Sequence, residues 1–181
     1  MKRLVLFPIL ALVLAGCASS SDQHDMMDMP STAASSAYSN TDLMFAEMMI
    51  PHHQQAVVMS DLALERSTNP DVIALAKAIR DAQAPEIEQM KSWGATGDEH
   101  AGHTMQGMLT DQELETLKAA KGPEFDKLFL EGMIKHHQGA IDMAQMILAS
   151  QNDEVRTLGE AIVSSQTAEI ASMKSMLASM G

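Results

Sequence analysis

The sequence predicts an all-α protein: an up-down-up-down four-helix bundle built from a duplicated helical hairpin, with a short extra helix between the halves. Three observations lead there. Aromatic residues make up 3% of the chain and β-branched runs are absent, while beyond Asn40 the composition is dominated by Ala, Leu, Met, Glu, Gln and Lys, all good helix formers. Apolar positions recur with a helical period. The chain also repeats itself: Phe45, Met49, Ile50, His52, His53, Gln54, Ala56 and Met59 match Phe129, Met133, Ile134, His136, His137, Gln138, Ala140 and Met143 at an offset of 84 residues. Asn69, Ile79, Gln83, Glu86, Ile87, Met90 and Lys91 then match Asn152, Ile162, Gln166, Glu169, Ile170, Met173 and Lys174 at an offset of 83.

In chain order, residues 1–17 have the form of a signal peptide. Lys2 and Arg3 precede an apolar run from Leu4 to Leu14, too short for a permanent span, and Leu14-Ala15-Gly16-Cys17 resembles the bacterial lipoprotein signal. Cleavage before Cys17 and lipidation of its sulfur are therefore expected. The protein is read as exported and lipid-anchored to the cell membrane or outer membrane, its domain in the periplasm or outside the cell. Residues 18–40, rich in Ser, Ala, Asp and Met, read as a flexible tether.

The bundle domain occupies 41–181. Repeat one is 41–92, a loop and short helix fill 93–122, and repeat two is 123–178. Asn69-Pro70-Asp71 is an N-cap followed by proline at the first helical position, and Asn152-Asp153-Glu154 has the same role in the second copy. Thr110 and Glu113 make a capping box for the short helix, which Gly122-Pro123 separates from the next. Long helices are placed near 41–67, 70–92, 123–150 and 153–178.

On a helical wheel with Met133 at zero, His136 and His137 fall at about −60° and +40°, straddling the apolar stripe of Phe129, Ala140 and Ala144. Met49, His52 and His53 repeat the arrangement. On the other helix of each hairpin, Gln83 and Glu86, and Gln166 and Glu169, share the face of Ile79, Ile87, Ile162 and Ile170. A buried carboxylate is costly unless paired or bound to a cation. Counted from the turns, His53, Gln83, His137 and Gln166 stand at one height, so a pseudo-twofold axis along the bundle would gather everything into one mono- or dinuclear metal site.

The expected ligands are His52, His53, His136, His137, Met49, Met133, Glu86 and Glu169. Each Glu either ligates or accepts the second N–H of a ligating His. A His–Glu network without metal is the alternative reading of the same residues. The flexible clusters His24, Met26, Met27, Met29 and His100, His103, Met105, Met108 are secondary soft-ligand candidates.

Cys17 is the only cysteine, which excludes an intrachain disulfide and a thiolate cluster. A formal net charge of −12 argues against nucleic acid as a partner and suits attraction of cations. Thioether and imidazole ligands without thiols fit copper, as Cu(I) or Cu(II), in an oxidising compartment; the carboxylates leave zinc or iron open.

The two HHQ segments, with EFDKLFLEGMIKHHQGAIDMA from Glu124 and GHTMQGMLTDQELETL from Gly102, resemble the bacterial family catalogued as domain of unknown function 305 over about Asn40 to Met180. That resemblance implies a ferritin-like fold, export, and copper or silver binding through Met49, His52, His53, Met133, His136 and His137. Copy one departs by carrying Pro51 where copy two has Lys135, and Gln55 where it has Gly139; Pro51 is expected to kink or unwind its helix. The expected function is copper or silver binding, buffering or tolerance in the cell envelope, with no catalysis and with copper-handling envelope proteins as partners. A ferritin-like dinuclear oxidase and a metal-independent partner-binding helical module are the alternatives.

Overall fold

The computed structural model describes residues 37–99, 102 and 104–180. Its helices are α1 (Asn40–Arg66), α2 (Pro70–Ser92), α3 (Asp111–Ala119), α4 (Gly122–Ala144) and α5 (Asp153–Ser179), and a turn of 3₁₀ helix, Gln145–Ile147, follows α4. The signal peptide, its Cys17, and the tether up to residue 36 lie outside the described residues.

Four of the five helix starts follow from side-chain caps. Ser39 caps α1 and Asp42 returns the bond to the Ser39 N–H at 2.8 Å, completing a capping box. Asn69 and Asn152 cap α2 and α5 through their side-chain oxygens, and Thr110 with Glu113 caps α3 as expected. The start of α4 breaks the pattern. Lys121 gives it no side-chain cap, and Pro123 occupies the position equivalent to Ser39. Without an N–H there, Asp126, the counterpart of Asp42, cannot close a box, and its Oδ1 is buried with no partner.

The third long helix was expected to run to 150; instead the α-helical part stops at Ala144. The tighter 3₁₀ turn places Ile147 in the core, where a Cβ on Gly159 would stand 2.9 Å from its Cγ1. Pro51 does not unwind α1, which is continuous from Asn40 to Arg66.

The interior is two apolar cores. One joins Ala56, Met59 and Ala63 of α1, Val72 to Ile79 of α2, Phe125 to Met133 of α4, and Ile170 and Met173 of α5. The other joins Phe45 to Ile50, Ile87 to Trp93, Ala140 to Ile147, and Val155 to Ile162. The C-terminal half of α1 thus shares a core with the N-terminal half of α4, so these helices run antiparallel.

The paired hairpins are as expected, but the directions are up-down-down-up rather than up-down-up-down. Trp93–Lys121 crosses the length of the bundle to start the second hairpin at the opposite end, the single long crossover of ferritin-like bundles. The pseudo-twofold axis consequently runs across the bundle, not along it. No described helix is long and apolar enough to cross a membrane.

Candidate metal centre

Between the two cores lies a polar layer. α1 brings His52 and His53, α4 brings His136 and His137, α2 brings Gln83 and Glu86, and α5 brings Gln166 and Glu169. All four imidazoles are 0% exposed and both glutamines 2%, while the glutamate side chains retain 19% and 21% of their surface. The common height read from the sequence is therefore met. Fifteen residues from a turn is mid-helix, and mid-helix positions coincide whichever way the second hairpin points.

Every imidazole is held through Nε2. His53 meets Glu86 Oε2 at 2.8 Å and His137 meets Glu169 Oε2 at 2.6 Å. His136 meets the carbonyl of His52 at 2.9 Å, and His52 meets the carbonyl of Gln106 at 3.2 Å. Carbonyls and carboxylates only accept, so each Nε2 carries the proton and donates. The tautomer is thereby set, and each neutral ring keeps a bare lone pair on Nδ1. All four Nδ1 atoms are buried without a hydrogen-bond partner in the protein, as are both amide atoms of Gln83 and the Gln166 oxygen.

Protonating Nδ1 is disfavoured. Burial, then the charge of neighbouring His53, pushes His52 down to about 3, with the Gln106 carbonyl opposing and His137 adding to the shift. Burial holds His136 well below its ordinary value, reinforced by the other three imidazoles and opposed by the His52 carbonyl. Four buried acceptor lone pairs with no donor from the protein are expensive. A cation that accepts lone pairs is the group that fits them.

The rings of His52 and His136 lie with centroids 3.8 Å apart, and the consecutive pairs His52/His53 and His136/His137 are each 6.4 Å apart, at 51° and 58°. Near-equal values in the two pairs reflect the repeat. Among the described residues no group of three His, Cys, Asp or Glu side chains is placed to hold one ion. The carboxylates of Glu86 and Glu169 lie on Nε2, on the far side of the ring from the free lone pair. Met49 and Met133 are fully buried on opposite sides of the layer, one in each core.

The secondary candidates divide. His24, Met26, Met27, Met29, His100 and His103 lie outside the described residues. Met105 and Met108 are half-buried in the crossover, where the Met105 N–H donates to Met108 Sδ at 3.4 Å. Met90 and Met173, matched across the repeat, are fully buried in the cores. Sequence reasoning missed Gln106, because a backbone carbonyl leaves no mark in the residue type. It also noted Gln55 and Gly139 as departures between the repeats without seeing that both touch the crossover.

Fold and site together define a class: four-helix bundles of two hairpins joined by a crossover, with a histidine layer dividing the core. The chain belongs to the family described as Domain of unknown function (DUF305), whose model matches residues 42–177. A DUF305 protein of Streptomyces coelicolor described as secreted is 31% identical, with a TM-score of 0.71 over 78% of this chain and 94% of that one. A DUF305 fragment from Deinococcus radiodurans is 32% identical, TM-score 0.70, over 78% and 97%. CopM in its Cu(II)-bound form is 35% identical, TM-score 0.68, over 77% and 97%; CopM is also solved in Cu(I)-bound, Ag-bound and apo forms. No curated protein matches the chain.

Proposed function

We propose that the protein is an exported binder of monovalent copper, held to the cell envelope by a lipid on Cys17, that takes the ion between its hairpins and buffers it or hands it on. The observation that carries this reading is the set of four buried Nδ1 lone pairs whose rings are already committed through Nε2. His52, His53, His136 and His137 are the ligands in this reading. Glu86 and Glu169 take the second of their two expected roles, fixing tautomer and ring orientation. Met49 and Met133 close the layer with soft, polarisable side chains.

Because no three His, Cys, Asp or Glu side chains converge on one point among the described residues, at most two of these imidazoles meet on one ion as the rings stand, and that number favours a monovalent ion. Zinc is almost always four-coordinate in structural sites and Cu(II) prefers tetragonal N,O sets, whereas d¹⁰ Cu(I) and Ag(I) are content with two donors. The same scarcity of converging donors counts against a dinuclear oxidase, which uses Glu-x-x-His pairs on facing helices. Copper- and silver-bound CopM and the secreted Streptomyces relative lend support by similarity. Copper-handling envelope proteins are the partner class that follows.

Competition with chelators under reducing conditions tests the proposal. Cu(I) and Ag(I) are expected to bind more tightly than zinc, and binding is lost when His52, His53, His136 and His137 are all changed to Ala. Unchanged stoichiometry in that variant would move the site to the methionine clusters and overturn the reading. Cys17→Ala is expected to release the protein from the membrane fraction.

A further inference from the structure

The two histidine pairs are copies of one another but are not held alike. His53 and His137 each have a glutamate, and His136 leans on the backbone of α1, which the helix itself keeps in place. His52 alone depends on the crossover, through the Gln106 carbonyl. What keeps that carbonyl in reach is found at one of the positions where the repeats differ, Gln55 in copy one and Gly139 in copy two.

Gln55 grips a single residue by both of its backbone groups: its Oε1 accepts from the Leu109 N–H at 2.7 Å and its Nε2 donates to the Leu109 carbonyl at 2.9 Å. Gly139 makes room on the other hairpin. A Cβ there would stand 2.0 Å from the Gln106 oxygen and 2.9 Å from Gly107 Cα, too close for either backbone to stay where it is. Gly107, at φ +85, is equally tight, since a Cβ on it would lie 2.7 Å from the Lys135 carbonyl. The Gln106 side chain donates to Asp142 at 2.6 Å, tying the same residue to α4.

We propose that Gln55 and Gly139 are positioning residues of the metal site: by seating the crossover at Met105–Leu109 they hold the Gln106 carbonyl on His52 Nε2 and keep the His52 Nδ1 lone pair bare inside the bundle. Three of the four rings are then set by helices alone, and the fourth is set by a latch. The bland rival is that Gln55 staples a loop whose position is indifferent to His52. The two differ in what the rings report.

Long-range ¹H–¹⁵N spectra of the imidazoles in the metal-free, full-length protein identify each tautomer. The wild type is expected to show four Nε2–H rings. In Gln55→Ala, and separately in Gly139→Ala, His52 loses that signature while His53, His136 and His137 retain it. Gln54→Ala, a change of an exposed neighbour on the same helix, leaves all four as they are. If Gly139→Ala fails to fold, Gln55→Ala decides.

An unaltered His52 in Gln55→Ala, the same loss in Gln54→Ala, or equal disturbance of all four rings overturns the proposal. The affinity arm rests on the metal reading above: Ag(I) and Cu(I) affinities of Gln55→Ala are expected to fall by about 10- to 100-fold, the usual effect of removing a partner that orients a ligand. Because the tautomers are read without metal, failure of the wild type to bind either ion would sink the metal reading and leave the latch separately testable.

Discussion

A neutral imidazole has one donor and one acceptor, and in this protein the identity of the partner settles which nitrogen is which. Glu86 and Glu169 perform that task for His53 and His137. Their removal is predicted to cost more than their blunting: Glu86→Ala and Glu169→Ala each lower Cu(I) affinity by about 10- to 100-fold, whereas Glu→Gln, which retains an accepting oxygen, loses less. Competitive titration of the variants measures the order. Equal losses in the Ala and Gln variants would mean that the negative charge, not the acceptor, matters.

The buried histidines also set a pH dependence. His52 and His136 have folded-state values below the unfolded one, so below about pH 6.5 the unfolded chain binds more protons than the folded chain. Stability of the metal-free protein therefore falls as pH drops below about 6.5, the His52 part of the loss running on toward pH 3. Denaturant midpoints across that range check the sign. At this scale the sequence was informative about side chains: the faces carrying His and Glu followed from the helical period. It was silent on the carbonyls of His52 and Gln106, which any residue type would supply.

Among the helices, α4 is the one that starts badly. Lys121 has the extended backbone of an N-cap, φ −144 and ψ 155, but a side chain that cannot accept from the first turn. Lys121→Ser is predicted to stabilise the metal-free protein by about 0.5–1.5 kcal/mol, read from urea unfolding. Metal affinity should stay unchanged, since the site lies mid-helix. Starts were legible where the chain used Asn69, Thr110, Asn152 and Pro123, whereas the Ser39 capping box of α1 went unread. The early end of α4 was not legible either, because a 3₁₀ turn is made of the same apolar residues and is chosen by how Ile147 meets Gly159.

For the molecule as a whole, the two hairpins were legible in the sequence, but their relative sense was read as up-down-up-down where the cores show up-down-down-up. Positions midway along both helices of a hairpin reach the same height in either arrangement. The length of Trp93–Lys121 was the overlooked signal: joining α2 to a neighbour at the same end needs a short turn, whereas this segment spans a bundle about 40 Å long. A layer shared by all four helices ties metal binding to global stability. An ion that binds the native state at a free concentration 100 times its Kd raises stability by about 2.7 kcal/mol. Melting curves with and without Ag(I) are predicted to shift upward together for near- and far-ultraviolet signals; a shift confined to one signal would argue for a local effect.

The crossed symmetry has a further meaning. Neither hairpin owns a core or a complete polar layer, since every part of the interior is made where one meets the other. In plan the molecule is like a homodimer with its two protomers joined by a single strap. The two halves differ where the strap touches them: one side clasps it through Gln55, and the other, bare of a side chain at Gly139, leaves the space in which it lies flat.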